Sequence, residues 1–206
     1  MKIISIIAQK GGATKTTLAI HLAVEAVRAG KEAIIFDLDP QASSAKWKDL
    51  RASETPVVVA IPASRLEQSL KQAEEAGAEL VIIDTAPHSD NTAMNACRVS
   101  DLILIPTKTG ILDLQTVPDS LSIAQLAKKP ACIILSAISP RGTTAIEARK
   151  ALEPLGVEVS PYTTVHRAVY SHSLNTGQTA TEAEPKGKAS QEIKELYNWI
   201  MSKLAN

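Results

Sequence analysis

Six short runs, at 3–8, 33–37, 57–61, 80–84, 102–105 and 132–137, are nearly continuous in Ile, Val, Leu and Ala. A strand with one solvated face alternates apolar and polar residues. A run without that alternation reads as a strand buried on both faces of a parallel sheet. Between the runs lie segments of helix-forming composition at 18–29, 42–51, 64–76, 91–98, 114–127 and 144–152, with Pro118 placed in a first turn or at a break of its helix. Parallel strands need crossover helices, and the crossovers are right-handed. The alternation therefore predicts an α/β fold: a doubly wound, mostly parallel β-sheet flanked by helices. At 206 residues and 45% apolar content, a single domain over 1–206 can bury an adequate core.

Ligands of such sheets sit at the carboxyl ends of the strands, and the chemically loaded residues fall there. After the first strand comes Gln9-Lys10-Gly11-Gly12-Ala13-Thr14-Lys15-Thr16-Thr17, leading into a helix. A glycine-bearing turn between a strand and a helix start aims backbone N–H groups at a phosphate, and the helix dipole adds fixed positive charge. Lys15 would reach the β/γ-phosphates and Thr16 would offer a hydroxyl to Mg²⁺. The second strand runs into Asp37-Leu38-Asp39-Pro40-Gln41, where carboxylates at i and i+2 of an extended chain share a side. The fourth strand ends in Asp84, followed by Thr85-Ala86-Pro87, and Asp84 is a candidate Mg²⁺ holder acting mostly through water.

Lys10-Gly11-Gly12-x-x-Lys15-Thr16-Thr17 resembles the deviant Walker A box of the ParA/MinD group of P-loop ATPases. The Leu80–Asp84 strand resembles a Walker B segment, and Asp37-Leu38-Asp39-Pro40-Gln41 resembles the group's second ATPase signature. The likeness continues through 99–106 and, more weakly, to Glu182. Its specific motifs lie in the first 110 residues or so. The resemblance implies ATP and Mg²⁺ as ligands, Asp39 orienting the hydrolytic water, and Asp37 near the Mg²⁺ shell. It implies that Lys10 crosses to the partner's phosphates in an ATP-dependent homodimer, and that Pro87 belongs to the nucleotide site. The first strand begins at Lys2, which leaves no N-terminal helix-turn-helix extension, and the chain looks like the short, ParF-like type of plasmid or chromosome partition ATPase. Such a protein would bind duplex DNA nonspecifically as a dimer. A separate centromere-binding, ATPase-stimulating adaptor would reset it. A same-fold ATPase positioning another cargo, such as a conjugation complex or a microcompartment, and a nucleotide-binding scaffold with little turnover are the competing readings.

Thr14 departs from the group, standing where the loop ordinarily has glycine. Either the position requires φ > 0 and a β-branched residue is costly there, or φ is negative and the hydroxyl makes a further hydrogen bond. The region where many relatives read the base holds Ser136-Ala137-Ile138-Ser139, so adenine preference rests on the resemblance alone.

Composition excludes other classes. The 22 basic and 22 acidic side chains balance, so any nucleic-acid surface is a local patch. Arg141, Arg149, Lys150, Arg167, Lys186, Lys188, Lys194 and Lys203 are candidates for one, or are ordinary solvated charges. Cys97 and Cys132 form no Cys-x-x-Cys or Cys/His cluster and both follow Asp84, against zinc, redox and iron–sulfur readings. No secretory leader precedes the first strand and no apolar run is long enough to span a bilayer, so a cytoplasmic, nucleoid-associated protein without membrane partners is expected. The stretch 176–188 reads as a mobile loop. Beyond it, a helix over 190–204 carries Ile193, Leu196, Tyr197, Ile200, Met201 and Leu204 on one stripe and is expected to pack on the domain.

Overall fold

The computed structural model describes residues 1–205. Along the chain run β1 (Lys2–Ile6), α1 (Lys15–Arg28), β2 (Ala33–Asp37), α2 (Ser43–Asp49), β3 (Val57–Ala60), α3 (Leu66–Glu75), β4 (Leu80–Asp84), α4 (Asp90–Val99) and β5 (Leu102–Thr107). They are followed by α5 (Ile111–Leu114), α6 (Val117–Leu126), β6 (Ala131–Leu135), α7 (Thr144–Leu152), β7 (Glu158–Val159), α8 (Ala168–Leu174), α9 (Ala180–Ala183) and α10 (Lys188–Leu204). Among the described residues, seven strands form one sheet in the order β3-β2-β4-β1-β5-β6-β7. Every pairing is parallel.

Successive side chains of each strand enter opposite layers. Ile4, Ile6, Ile35, Leu80, Ile82 and Leu104 pack with α1 and α10 on one face. On the other, Ile103, Ile105, Ile133 and Leu135 meet α4, α6 and α7, and Phe36, Val81 and Ile83 meet α3. Burial on both faces explains why the inner strands read as continuous apolar runs; β3, though equally apolar, is an edge strand and leaves Val57 and Val59 exposed. The chain winds outward from β1 to β3, returns to β4, then crosses β1 to reach β5. That reversal opens a crevice at the carboxyl ends of β1, β2 and β4, and the register aligns Ile6, Asp37 and Asp84 along it.

The structure corrects three local expectations. The helix expected over 114–127 starts later, at Val117, after the separate short α5, and Pro118 falls in the first turn of α6, one of its two expected placements, where its missing N–H costs nothing. The edge strand β7 is too short to leave a periodic signal. The 176–188 stretch is docked rather than mobile. Thr179 and Glu182 form a capping box on α9, Arg51 pairs with Glu182 at 2.6 Å and donates to the Gly177 carbonyl at 2.9 Å, and Trp47 Nε1 donates to Gln178 O at 3.3 Å. Gly177, at φ 68°, lies so near α2 that a Cβ would stand 2.4 Å from Leu50 O. No other residue fits there without moving backbone.

The last helix begins two residues earlier than expected and packs as expected. Ile193, Leu196, Tyr197, Ile200 and Leu204 are buried and Met201 is half-buried, in the same core layer as α1. Among the described residues no helix is long and apolar enough to cross a membrane. Cys97 and Cys132 are buried free thiols, both pushed up by burial, to about 11 and about 12.

Candidate active site

Gly11, Gly12, Ala13, Thr14, Lys15, Thr16, Thr17, Asp39, Ser43 and Pro87 line one cavity of about 260 Å³ at the mouth of the crevice. The turn bends through Gly12 at φ 71° and Thr14 at φ 67° before α1 begins at Lys15. Thr14 thus realises half of each alternative: its backbone is left-handed, and its hydroxyl also makes a bond, donating to Ser136 Oγ at 2.6 Å. The backbone cost is roughly 1–2 kcal/mol, and a hydrogen bond contributes about 1 kcal/mol against it.

Lys15 is buried, and its ammonium donates to Ala8 O at 3.3 Å. Burial lowers its pKa, while the carboxylates of Asp84 and Asp39 act the other way. Asp84 is fully buried at the end of β4. Oδ2 accepts from Ser44 Oγ at 2.9 Å, and the Thr16 side chain lies near enough to the same carboxyl group to favour its charged form. Oδ1 is buried with no hydrogen-bond partner. Burial, with Asp37 adding to it, pushes Asp84 up to about 7 despite Thr16, Ser44 and Lys15. An orphaned carboxylate oxygen beside two hydroxyls is a hard-oxygen donor set, and it fits Mg²⁺.

Asp37 is buried and spends both oxygens on backbone. Oδ1 accepts from the Asp39 N–H at 3.0 Å, and Oδ2 from the N–H groups of Ser44 and Ala45 at 2.9 and 3.2 Å. It thereby caps α2, whose N-terminal residue has no side-chain cap of its own. Asp39 is half-buried on the cavity wall, with Oδ1 accepting from Gln41 N at 2.9 Å. Lys10 does not line this cavity and pairs with Asp113 of α5 at 2.9 Å.

Neither Ser44 nor Thr164 is among the site residues expected from the sequence, and the partner of the Thr14 hydroxyl, Ser136, is not specified there. Ser44 sits in a polar helix start with no motif around it. The only sequence signal of the hydroxyl chain through Thr14, Ser136 and Thr164 is a β-branched residue in a glycine place. The basic candidates prove uneven: Arg167 forms a two-nitrogen pair with Glu192 Oε1 at 2.6 and 2.9 Å, Lys203 pairs with Glu158, and Arg149 donates to Pro161 O. Arg141, Lys150, Lys186 and Lys188 remain exposed.

Residues 4–175 match the family described as the CobQ/CobB/MinD/ParA nucleotide binding domain. The chain is 27% identical over 207 residues to the maintenance of carboxysome distribution protein A of Gloeobacter kilaueensis, covering 98% of this chain and 94% of that one. It is 27% identical over 189 residues to protein ParA of Rhizobium radiobacter, covering 86% and 84%. Among solved structures, the Cyanothece McdA–ATP complex superposes with a TM-score of 0.80 at 16% identity, covering 100% of this chain and 96% of that one. Pyrococcus horikoshii MinD with Mg-ADP gives 0.78 at 18%, covering 97% and 95%.

Proposed function

Because the chain belongs to the CobQ/CobB/MinD/ParA nucleotide-binding family, we propose that it is a ParA-like positioning ATPase. In this reading it binds ATP with Mg²⁺, closes as a nucleotide-sandwich homodimer and binds duplex DNA nonspecifically in that state. Hydrolysis stimulated by a separate adaptor opens it again. The observation that carries the proposal is that Lys15 and Asp39 line one cavity at the phosphate turn, with the buried Asp84 carboxyl and its orphaned oxygen close enough to Lys15 to act on its charge.

Lys15 and the turn's N–H groups hold the phosphates, the Thr16 hydroxyl and Asp84 hold the cation, and Asp39 orients the attacking water. A Mg²⁺ ion held there would supply charge that neutralises the phosphates. Ser44 fixes the Asp84 carboxylate, and Asp37 holds the segment carrying Asp39 at a set distance from β2. Lys10 leaves Asp113 for the partner's phosphates when the dimer forms.

The cargo in the first reading is a plasmid or chromosomal locus reached through a centromere-binding adaptor, as in the short ParF-like proteins. A second reading, distribution of a protein assembly, is favoured by the match over nearly the full length of a carboxysome distribution protein. Both share one test: solution mass with ADP or a non-hydrolysable ATP analogue, each with Mg²⁺ and with or without nonspecific duplex DNA. A dimer that appears only with the ATP analogue and only then binds DNA supports the proposal. A mass indifferent to nucleotide refutes it.

A further inference from the structure

A second cavity, of about 230 Å³, adjoins the first. Thr14 and Thr17 line both, so the phosphate turn is their shared wall. The second cavity continues over Leu18, Ser136, Ala137 and Thr164, and Lys108, His166 and Arg167 also line it, so that apolar surface and several converging polar groups meet there, the form of a site for a planar heterocycle. A nucleotide with its phosphates on the turn has this hollow as the continuous space for its nucleoside end.

The wall is wired to the far side of the hollow. Thr14 Oγ1 donates to Ser136 Oγ at 2.6 Å, and Ser136 Oγ lies 2.8 Å from Thr164 Oγ1. Thr164 Oγ1 also accepts the Ala137 N–H at 3.1 Å. With the Thr14 proton on Ser136, the Ser136 proton is directed to Thr164, and the three hydroxyls form one chain running from the start of α1 through the loop after β6 to the segment between β7 and α8. Ser136 and Thr164 are 1% and 4% exposed, so water does not replace these bonds readily. Two residues beside this chain are held in left-handed backbone, Thr14 at φ 67° and Ala137 at φ 50°. Glycine at 14 would relieve the first strain and cut the chain.

We propose that Thr14 is a positioning residue for the nucleoside end of the nucleotide: its hydroxyl sets the distance between the phosphate turn and the 136–138 loop, and so the width of the hollow. The proposal rests on the nucleotide-binding reading above. It predicts an effect specific to ligands that carry a nucleoside, because a bare phosphate chain touches only the turn.

Calorimetric titration of the full chain with ATP and with inorganic tripolyphosphate, both with Mg²⁺, separates the two ends. Thr14→Val keeps the branched shape without the hydroxyl, and Ser136→Ala removes the acceptor. Each is expected to lower the ratio of ATP affinity to tripolyphosphate affinity about fivefold, the effect of losing one buried hydrogen bond. Thr14→Ser is expected to hold the ratio within about twofold of the starting protein, since one hydroxyl suffices. A ratio unchanged in both Thr14→Val and Ser136→Ala overturns the proposal, as does an equal loss for both ligands. Should one variant fail to fold, the other decides. A starting protein that binds neither ligand refutes the nucleotide reading itself; one that binds both, with ratios fixed across the variants, refutes only the role of Thr14.

Discussion

His21 ties helix α1 to the carboxy-terminal segment, and the tie is sensitive to acid. Its Nδ1 lies 2.7 Å from Thr17 O, and its Nε2 accepts the Ala180 N–H at 3.0 Å. Because a backbone amide can only donate, Nε2 carries no proton and the neutral ring donates through Nδ1. Burial lowers its pKa from 6.5 to about 4, and the Thr17 carbonyl and the Glu182 carboxylate only partly oppose this. Tyr170 closes the remaining side edge-on, with ring centroids 5.1 Å apart. The unfolded chain thus takes up this proton between pH 6.5 and 4 while the folded chain refuses it. The stability contribution is complete above pH 6.5 and is lost as pH falls toward 4, at about 1.4 kcal/mol per pH unit, for a total of about 3 kcal/mol. Glu25, Asp37 and Asp84, raised mainly by burial, act in the opposite sense as pH falls. The measurement is therefore a difference: urea unfolding at pH 7.5, 6, 5.5 and 5 for the natural chain and for His21→Gln, whose amide supplies one donor and one acceptor without titrating. The natural chain should lose about 2 kcal/mol more than the variant between pH 7.5 and 5. Parallel pH dependences would show that the ring is not held neutral by this packing.

Three further outcomes follow from the site. Lys15→Ala should weaken ATP binding about a hundredfold or more in calorimetry, because it removes the buried cation facing the phosphates; an unchanged affinity would displace Lys15 from the site. Asp39→Ala should bind ATP, stall phosphate release by about a hundredfold or more and leave a long-lived dimer, so normal turnover would remove the water-orienting role. Lys10→Ala should bind ATP as a monomer and give no dimer in light scattering with the ATP analogue, whereas an intact dimer would place the interface elsewhere.

The architecture was legible because two-sided burial leaves an unmistakable mark on Ile3 to Ala8 or Leu80 to Asp84, and because the rule that ligands gather at strand ends assigns Lys10 to Thr17, Asp37, Asp39 and Asp84 to one edge without coordinates. What escaped depends on pairings remote in sequence. Thr14 meets Ser136, Ser44 meets Asp84, and Gly177 meets Leu50. Local propensity carries no trace of these contacts. The 176–188 stretch illustrates the point: its Thr, Gly, Glu and Lys content reads as solvated chain, yet Glu182 and Gly177 are anchor points for Arg51. Asp37 was placed in the site by its position, but its use of three backbone amides emerges only from the fold of the following turn.

Helix α2 is a strut fixed at both ends. Asp37 fastens its start to the sheet, while Trp47 and Arg51 bolt its far end to residues 177–182, which in turn rest on α1 through His21. The second bolt lies beyond residue 175, where the family match stops. A fragment cut at that boundary would retain every residue lining the cavity at the turn and lose the far footing of the beam that follows Asp39, so the tail belongs to the frame of that cavity even though none of its residues lines it.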